Sequence, residues 1–370
     1  MNTSIQGNYV KLIAFFLVAA ILVAAFGFAS DGWWEEETND DNGKVDTDSN
    51  KTENDKNSNK QPEDEPKEPE IYIPEFTNAL TGLETTEDSA RKRHYAFVID
   101  PDSPIYGISQ SDIIAELPIE DGSTRLLAFT NELEGLSKIG SLTATRNYIS
   151  NIAKFFNSAI VFKKNDSNLG YESCNLLGSM FDMSIHTGYF YTEYAQFTYT
   201  NGDLVSAGLY NANINTTINT TSPLPYQFTE FGKEITLDSS ANSLLLPLTD
   251  SSETEFYYSP QTKKYTYYKN GSAKKDMLSD TAICFSNIFV LFADSVTYET
   301  ADNTEMIMNT IGNGTGYYVS GGAYKAIRWE SDVSGSLKLY GETGSLLTVN
   351  RGNSYIAFIK ASRADKIKFS

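Results

Sequence analysis

The sequence is poor in the residues that most often build metal centres and disulfide frameworks. Its 370 residues include two histidines and two cysteines. Zinc ligands recur at short spacings that neither pair shows, so we expect no metal site and no cofactor. Cys174 and Cys284 are far apart in the chain, which is no disulfide framework. We interpret them as two core thiols, with a single bridge as the alternative.

Motifs that mark a catalytic nucleophile or a phosphate loop are also missing or misplaced. There is no Gly-x-Ser-x-Gly elbow. Ser272 and Lys275 have the Ser-x-x-Lys spacing, but they follow an Asn-Gly pair inside a predicted hairpin, where the helix that this motif needs is absent. The glycine-rich run 312–322 lacks the Lys-Ser/Thr pair of a phosphate loop, so we predict a strand and turn there.

We expect His94, which follows Arg-Lys-Arg, at a solvated basic edge.

The chain has no basic region of the kind that neutralises nucleic-acid phosphates. Its net charge is -19, and residues 31–70 contain 15 acidic residues against 5 lysines. The remaining excess of acid is spread over the rest of the chain, as on an ordinary globular surface. We therefore expect no nucleic-acid partner.

One long apolar run, Leu12–Ala29, has 18 apolar or small residues. As a helix it is about 27 Å long, which spans a bilayer's hydrocarbon core. Trp33 and Trp34 follow it, where an interfacial aromatic belt would lie. We predict a transmembrane anchor at 12–29 after a short cytoplasmic segment, 1–11. The alternative is a secretory signal cleaved after Ala29. Either reading places the folded part outside the cytoplasm, and the first makes this a single-pass protein of the cell membrane.

Composition divides the remainder into three segments. Residues 30–74 are rich in acidic, Asn, Lys, Ser and Pro residues, and we predict a disordered spacer. Residues 75–250 mix strand patterns with a helical period over 144–157, which predicts an α+β domain. Residues 251–362 contain many short strand patterns separated by Gly or Asn turns, which predicts a β-rich domain. The fold class is therefore α+β, with a mixed α/β first domain and a β-rich second one.

The stretch "YGISQSDIIAELPIEDGSTRLLAF" from Tyr106 to Phe129 combines a predicted hairpin with an unusual acid. Glu116 interrupts an apolar strand, so its carboxylate must face solvent, pair with another group or line a cleft. Arg125 opens the next strand, and Arg146 opens the helix. By the period of a strand, Asp112 and Glu120 share the side of Glu116. Pairs of acids with an arginine can perform acid–base work on a glycan. They can equally form structural ion pairs, which is the reading that we favour.

Three segments in order, "GISQSDIIAE", "DGSTRLLAF" and "IGSLTATRNY", resemble the YerB-like lipoprotein family. The second half, from "YYSPQTKKYTYYKNGSAKKD" to "SYIAFI", is similar to that family's second domain. The resemblance implies an exported, membrane-attached, two-domain protein of a family whose molecular function is not established. With the residue pattern it gives these candidate binding residues: Ser109, Asp112, Glu116, Arg125, Arg146 and His186.

This chain departs from the family pattern in ways that weaken an enzymatic interpretation. Thr143 replaces the first arginine of an Arg-x-x-Arg pair, and Lys275 stands where a histidine is often found. The lipid-modified cysteine is replaced by the apolar run. We therefore predict a non-catalytic envelope protein that binds a partner protein or a cell-wall ligand. The alternative is a hydrolase or transferase acting on cell-wall glycan or peptide, with the Glu116, Arg125, Arg146 and His186 side chains in one open cleft.

Overall fold

The computed structural model describes residues 72–163, 180–182, 188–194, 196–218, 224–299 and 304–370. The predicted anchor, most of the predicted spacer, Cys174 and His186 lie outside these ranges. Within the described residues, no helix combines the length and apolarity needed to cross a bilayer. Residues 68–370 form one compact unit.

The described residues of the first half of this unit combine strands with three helices. The helices are α1 Glu87–Arg91, α2 Asn147–Phe155 and α3 Gly202–Asn211. The strands are β1 Tyr95–Ile99, β2 Ile113–Pro118, β3 Thr124–Thr130, β4 Ile139–Gly140, β5 Ala159–Phe162, β6 Met180–Asp182, β7 Tyr191–Glu193, β8 Phe197–Thr200 and β9 Gln227–Phe228.

The described residues of the second half are arranged almost wholly in strands, with one 3-10 helix at Ala361–Lys366. The strands are β10 Ser239–Ser240, β11 Ser243–Pro247, β12 Glu253–Ser259, β13 Lys264–Lys269, β14 Ser272–Ala273, β15 Lys275–Asp276, β16 Thr281–Ala282, β17 Cys284–Phe285, β18 Asn287–Ala293, β19 Ser295–Glu299, β20 Thr304–Met308, β21 Gly312–Ser320, β22 Ala323–Ser331, β23 Leu337–Tyr340, β24 Thr348–Val349, β25 Ser354–Lys360 and β26 Lys368–Phe369.

A central sheet of eleven described strands runs through both halves. Its order is β10, β22, β21, β18, β25, β2, β3, β1, β5 and β6, with β23 beside β22. The halves join where β2 lies parallel to β25, with Ile113 opposite Ser354 and Glu116 opposite Ala357. Strands β1, β2, β5 and β18 are buried along their whole length. Such strands are covered on both faces of their sheet.

Each face of the central sheet carries its own apolar core. On one face, Ile114 and Tyr355 pack with Phe256 and Tyr267 of a second sheet, which is ordered β14, β13, β12, β11 and β26 with β17 beside β13. On the other face, Ile113 and neighbouring side chains pack against the buried side of α2. Because strand side chains alternate, Glu116 lies on the same side of β2 as Ile114 and faces the second sheet.

The predicted hairpin at the centre of the sequence is present. Strands β2 and β3 pair antiparallel, with Leu117 opposite Arg125. The turn between them includes Gly122 with φ +83, and the Ile119 amide donates to Ser123 O at 3.0 Å. The helix that we predicted over 144–157 spans Asn147–Phe155. Arg146 is the N-cap residue and has an extended backbone. The helix therefore begins at Asn147, one residue after Arg146.

The strand-rich α+β class that we predicted is present in the described residues. The domain boundary predicted at residue 250 stays a prediction. The central sheet contains strands from both sides of that position. Two strands before that position already pair with second-half strands: Ser239 lies opposite Tyr324, and Leu244 lies opposite Phe256. Cys284 carries a free thiol and is half-buried.

Candidate functional site

Glu116 lies fully buried at the seam between the central and second sheets. Its exposed fraction is 0%. The Lys269 ammonium contacts Oε1 of Glu116, and the Lys269 side chain is 1% exposed. The Thr124 hydroxyl donates to the same carboxylate oxygen at 2.6 Å. Glu116 therefore belongs to a closed ion pair that joins the first half of the chain to the second.

The other oxygen of Glu116, Oε2, is equally well satisfied. Three hydroxyls donate to it: those of Tyr355 at 2.6 Å, Thr254 at 3.1 Å and Tyr267 at 3.2 Å. Burial acts to raise the pKa of the Glu116 carboxyl, but the charge and hydrogen bonds of its partners, Lys269 above all, outweigh burial and hold that pKa below its ordinary value. The pKa values of both tyrosines are raised well above normal, first by burial and then by the Glu116 charge. A carboxylate held in this way is ionised and closed to substrate.

The two candidate arginines also have internal partners. Arg146 is 6% exposed, and its Nε lies 3.0 Å from both carboxylate oxygens of Glu120. Its Nη1 donates to Thr145 O at 2.8 Å. Arg125 Nη1 donates to the backbone oxygen of Thr124 at 2.8 Å. Glu116 therefore pairs with neither arginine, because its counter-ion is Lys269 and that of Arg146 is Glu120. Arg125 Nε is buried and has no hydrogen-bond partner.

A second carboxylate ties the two halves together at the other end of the Tyr106–Phe129 stretch. Asp276 is 1% exposed and accepts three backbone amide hydrogens: Gly107 at 2.9 Å, Ser109 at 2.8 Å and Leu278 at 2.9 Å. Gly107 has φ +76, and a Cβ there would lie 2.2 Å from Lys138 O. The backbone of residues 107–109 is thus held by a second-half acid.

An open cleft lies beside this clamp. Its volume is about 360 Å³, and we call it the acidic cleft because four carboxylates and no Lys or Arg side chain line it. The lining residues are Gly107, Ser109, Gln110, Asp112, Thr130, Asn131, Glu132, Glu134, Gly135, Leu136, Asp276, Leu278 and Ser279. Two of the predicted site residues, Ser109 and Asp112, therefore meet in one cavity, whereas Glu116 lies outside it.

The wall of the cleft formed by residues 130–136 is anchored just beyond it by Lys138. The ammonium lies 3.8 Å from the ring centroid of Tyr106 and 4.0 Å from that of Tyr199. It also donates to both carboxylate oxygens of Glu193, at 2.9 and 2.8 Å. An ammonium held over two ring faces and against a carboxylate fixes the position of this segment.

Our expectation for His94 was wrong. The residue is 2% exposed, because it leads into β1, which lies between β3 and β5 in the central sheet. Its Nε2 lies 3.5 Å from Oδ2 of Asp112. Neither of these two buried atoms has a hydrogen-bond partner. Asp112, which lines the acidic cleft, therefore has a buried oxygen that faces His94 Nε2 without a hydrogen bond.

Sequence reasoning missed Lys269 and did not place Asp276 in a site. A signal existed for Lys269: in "KYTYYK" it shares the period of the buried Tyr265 and Tyr267. A lysine on the buried face of a strand requires an internal anion. In the described part of the chain, no group of three or more His, Cys, Asp or Glu side chains is arranged to hold a metal ion.

Comparison with known families finds matches in both halves. The N-terminal domain of DUF3048, a family of proteins of unknown function, matches residues 80–211. The C-terminal domain of the same family matches residues 246–356. Together the two matches cover about two thirds of the chain. No functionally curated protein is significantly similar in sequence.

A solved structure shares this fold. The crystal structure of YerB protein from Bacillus subtilis superposes with a TM-score of 0.67 at 20% sequence identity. The similarity covers 80% of this chain and 99% of the YerB chain. At this identity the likeness concerns the fold.

Proposed function

This chain belongs to the YerB-like DUF3048 family, and we propose that it is a non-catalytic, membrane-anchored binding or scaffold protein of the cell envelope. Its ligand or partner occupies the acidic cleft. The anchor is the apolar run Leu12–Ala29, and the acidic segment that follows holds the folded unit away from the membrane. The folded unit works outside the cytoplasm.

One observation carries the non-catalytic part of the proposal. Two of the charged residues on which the enzyme alternative depends are already engaged inside the fold: Glu116 with Lys269 and Arg146 with Glu120. A general acid or base must come within hydrogen-bond reach of its substrate. Glu116 is sealed from solvent, so it cannot do so in this conformation.

The acidic cleft supports the binding part of the proposal. Its volume of about 360 Å³ falls at the lower end of the range typical of small-molecule sites. Loops from both halves form it, and Asp276 holds the 107–109 backbone rigidly. A pre-formed wall lowers the entropy lost on binding. Hydroxyl and amide groups on Ser109, Gln110 and Ser279 supply hydrogen bonds.

Capture from the envelope by the full-length chain tests both parts. Gln110→Lys places a positive charge at the exposed rim of the cleft, and Gln261→Lys makes the same change on an exposed turn that does not line it. We expect the wild type and Gln261→Lys to retain a common envelope component, and Gln110→Lys to lose it. Mass spectrometry of the retained component should show no change after prolonged incubation.

Two results would contradict the proposal. Retention that is equal in all three chains would remove the acidic cleft as the binding site. A retained component whose mass changes with time would instead support the hydrolase or transferase alternative. Protease treatment of intact cells tests the topology, because residues 72–370 should be digested from outside.

A further inference from the structure

We propose that a second cleft binds the phosphate group of a phosphate ester through Arg351, Lys233 and Lys263. We call it the basic cleft, since these three cations line it with Glu234 as its one acid. Its volume is about 310 Å³, and it lies where the β12–β13 turn, the β21–β22 turn and the segment before β25 meet. It shares no residue with the acidic cleft, so this inference goes beyond the binding function proposed there.

The charge of the basic cleft selects an anion. The chain as a whole has a net charge of -19, so a cavity with an excess of positive charge differs from the rest of the surface. A concave site lined by one sign of charge concentrates ions of the opposite sign.

Arg351 is the fixed cation of the basic cleft. Its Nε donates to Thr229 O at 3.0 Å, its Nη1 donates to Gly82 O, and its Cζ lies 3.5 Å from the ring centroid of Phe231. Among the described residues, no carboxylate forms an ion pair with Arg351. Partial burial therefore lowers the pKa of its guanidinium without compensation. A guanidinium in this state gains from an anion that the chain itself does not supply.

The two lysines of the basic cleft are engaged only in exposed ion pairs. Lys263 Nζ lies 2.6 Å from Glu234 Oε1, and Lys233 Nζ lies 2.6 Å from Glu230 Oε2. At least 60% of each of these four side chains is exposed. Because exposed ion pairs contribute little to stability, both ammonium groups can turn from their acids to a ligand.

The arrangement of the donors favours phosphate over a carboxylate. Lys233, Lys263 and Arg351 lie on three separate segments, and the Ile235 amide, which donates to Asn350 Oδ1 at 2.8 Å, ties the first of these to the third. A carboxylate has two oxygens in one plane. A phosphate ester has three strong acceptor oxygens that point in different directions, so it can bind donors from all three segments at once.

Calorimetric titration of the full-length chain in phosphatidylcholine nanodiscs tests the assignment. The probes are glycerol 3-phosphate, its uncharged counterpart glycerol, and the carboxylate lactate. We expect glycerol 3-phosphate to bind more tightly than lactate and at least about tenfold more tightly than glycerol, as charge-assisted hydrogen bonds imply.

Two adjacent lysines provide matched variants. Lys263 lines the basic cleft, whereas Lys264 is exposed and does not line it. Lys263→Gln should weaken glycerol 3-phosphate by about threefold or more, and Lys264→Gln should leave its affinity nearly unchanged. Glu234→Gln should instead tighten binding, because it releases Lys263 from its acid. All three positions are exposed, so these substitutions should leave the fold intact.

Equal affinity for glycerol 3-phosphate and glycerol, or equal effects of Lys263→Gln and Lys264→Gln, overturns the assignment. Lactate binding that is as tight as glycerol 3-phosphate binding excludes phosphate as the preferred class. Gln110→Lys, in the acidic cleft, should not alter glycerol 3-phosphate binding, so the failure of either proposal is distinguishable from the failure of the other.

Nanodiscs that contain phosphatidylglycerol distinguish the two sources of a phosphate ester. If a lipid headgroup occupies the basic cleft, these discs should weaken glycerol 3-phosphate binding more in the wild type than in Lys263→Gln. An equal change in both chains identifies a soluble phosphate ester as the ligand.

Discussion

The two ends of strand β2 present acids in opposite states. Glu116, near its carboxyl end, is 0% exposed and has an ammonium and four hydroxyls around it. Asp112, just before its first residue, lines an open cavity and leaves one buried oxygen without a hydrogen bond. The satisfied acid stabilises the fold, whereas Asp112, whose side chain is 14% exposed, lies at the wall of the cleft. Two acids at the two ends of one strand therefore differ in exposure and in hydrogen bonding.

The largest effect is expected from removing the counter-ion of Glu116. Lys269→Met leaves a buried carboxylate unpaired, which should lower the free energy of unfolding by about 3–5 kcal/mol. Urea denaturation of the full-length chain measures this. The double variant Glu116→Gln, Lys269→Met removes both charges and should recover much of the loss. If Lys269→Met lowers the free energy of unfolding by less than about 1 kcal/mol, the Glu116–Lys269 pair contributes little to stability.

The sequence predicted the hairpin around Glu116 and the conflict that a carboxylate creates in an apolar strand. It could not predict the partner. Lys269 meets Glu116 because β2 and β25 lie side by side, which places the second sheet over that face. Pairing between segments so distant in the chain depends on the whole topology, which local periodicity does not contain.

The acidic cleft was predicted only in part for the same reason. Ser109 and Asp112 were named from local sequence, and both line the cavity. His94 was assigned to the surface because Arg-Lys-Arg precedes it, yet strands on both sides of β1 bury it. The basic neighbours indicated where the strand begins. They did not indicate how deeply the residues at its start are buried.

Asp276 is an intermediate case, because it lines the cleft while its carboxylate already accepts three backbone hydrogen bonds. Asp276→Ala removes the acceptor of three backbone amides, and we expect a loss of about 2–3 kcal/mol in the free energy of unfolding. Ser279→Ala, at an exposed position of the same cleft, should change stability by less than about 0.5 kcal/mol. Equal effects of the two substitutions would mean that the clamp on residues 107–109 is not what stabilises this wall.

Lys138 lies just beyond the wall of the cleft that residues 130–136 form. Lys138→Met keeps the stem but removes the ammonium from the Tyr106 and Tyr199 rings and from Glu193. We expect a loss of about 1–2 kcal/mol and faster amide hydrogen exchange across residues 130–138. Lys264→Met, at an exposed strand position, is the matched control. Unchanged exchange in Lys138→Met would show that the wall is held by other contacts.

The smallest effect on stability is expected at Asp112, and it is the sharpest test of the contrast. Asp112→Asn replaces an oxygen that makes no hydrogen bond and faces His94 Nε2 at 3.5 Å. Because the substitution alters a 3.5 Å approach rather than a hydrogen bond, thermal unfolding should shift by less than the equivalent of about 0.5 kcal/mol. A large destabilisation would instead place Asp112 with Glu116 among the structural acids, and the cleft would lose its candidate ligand group.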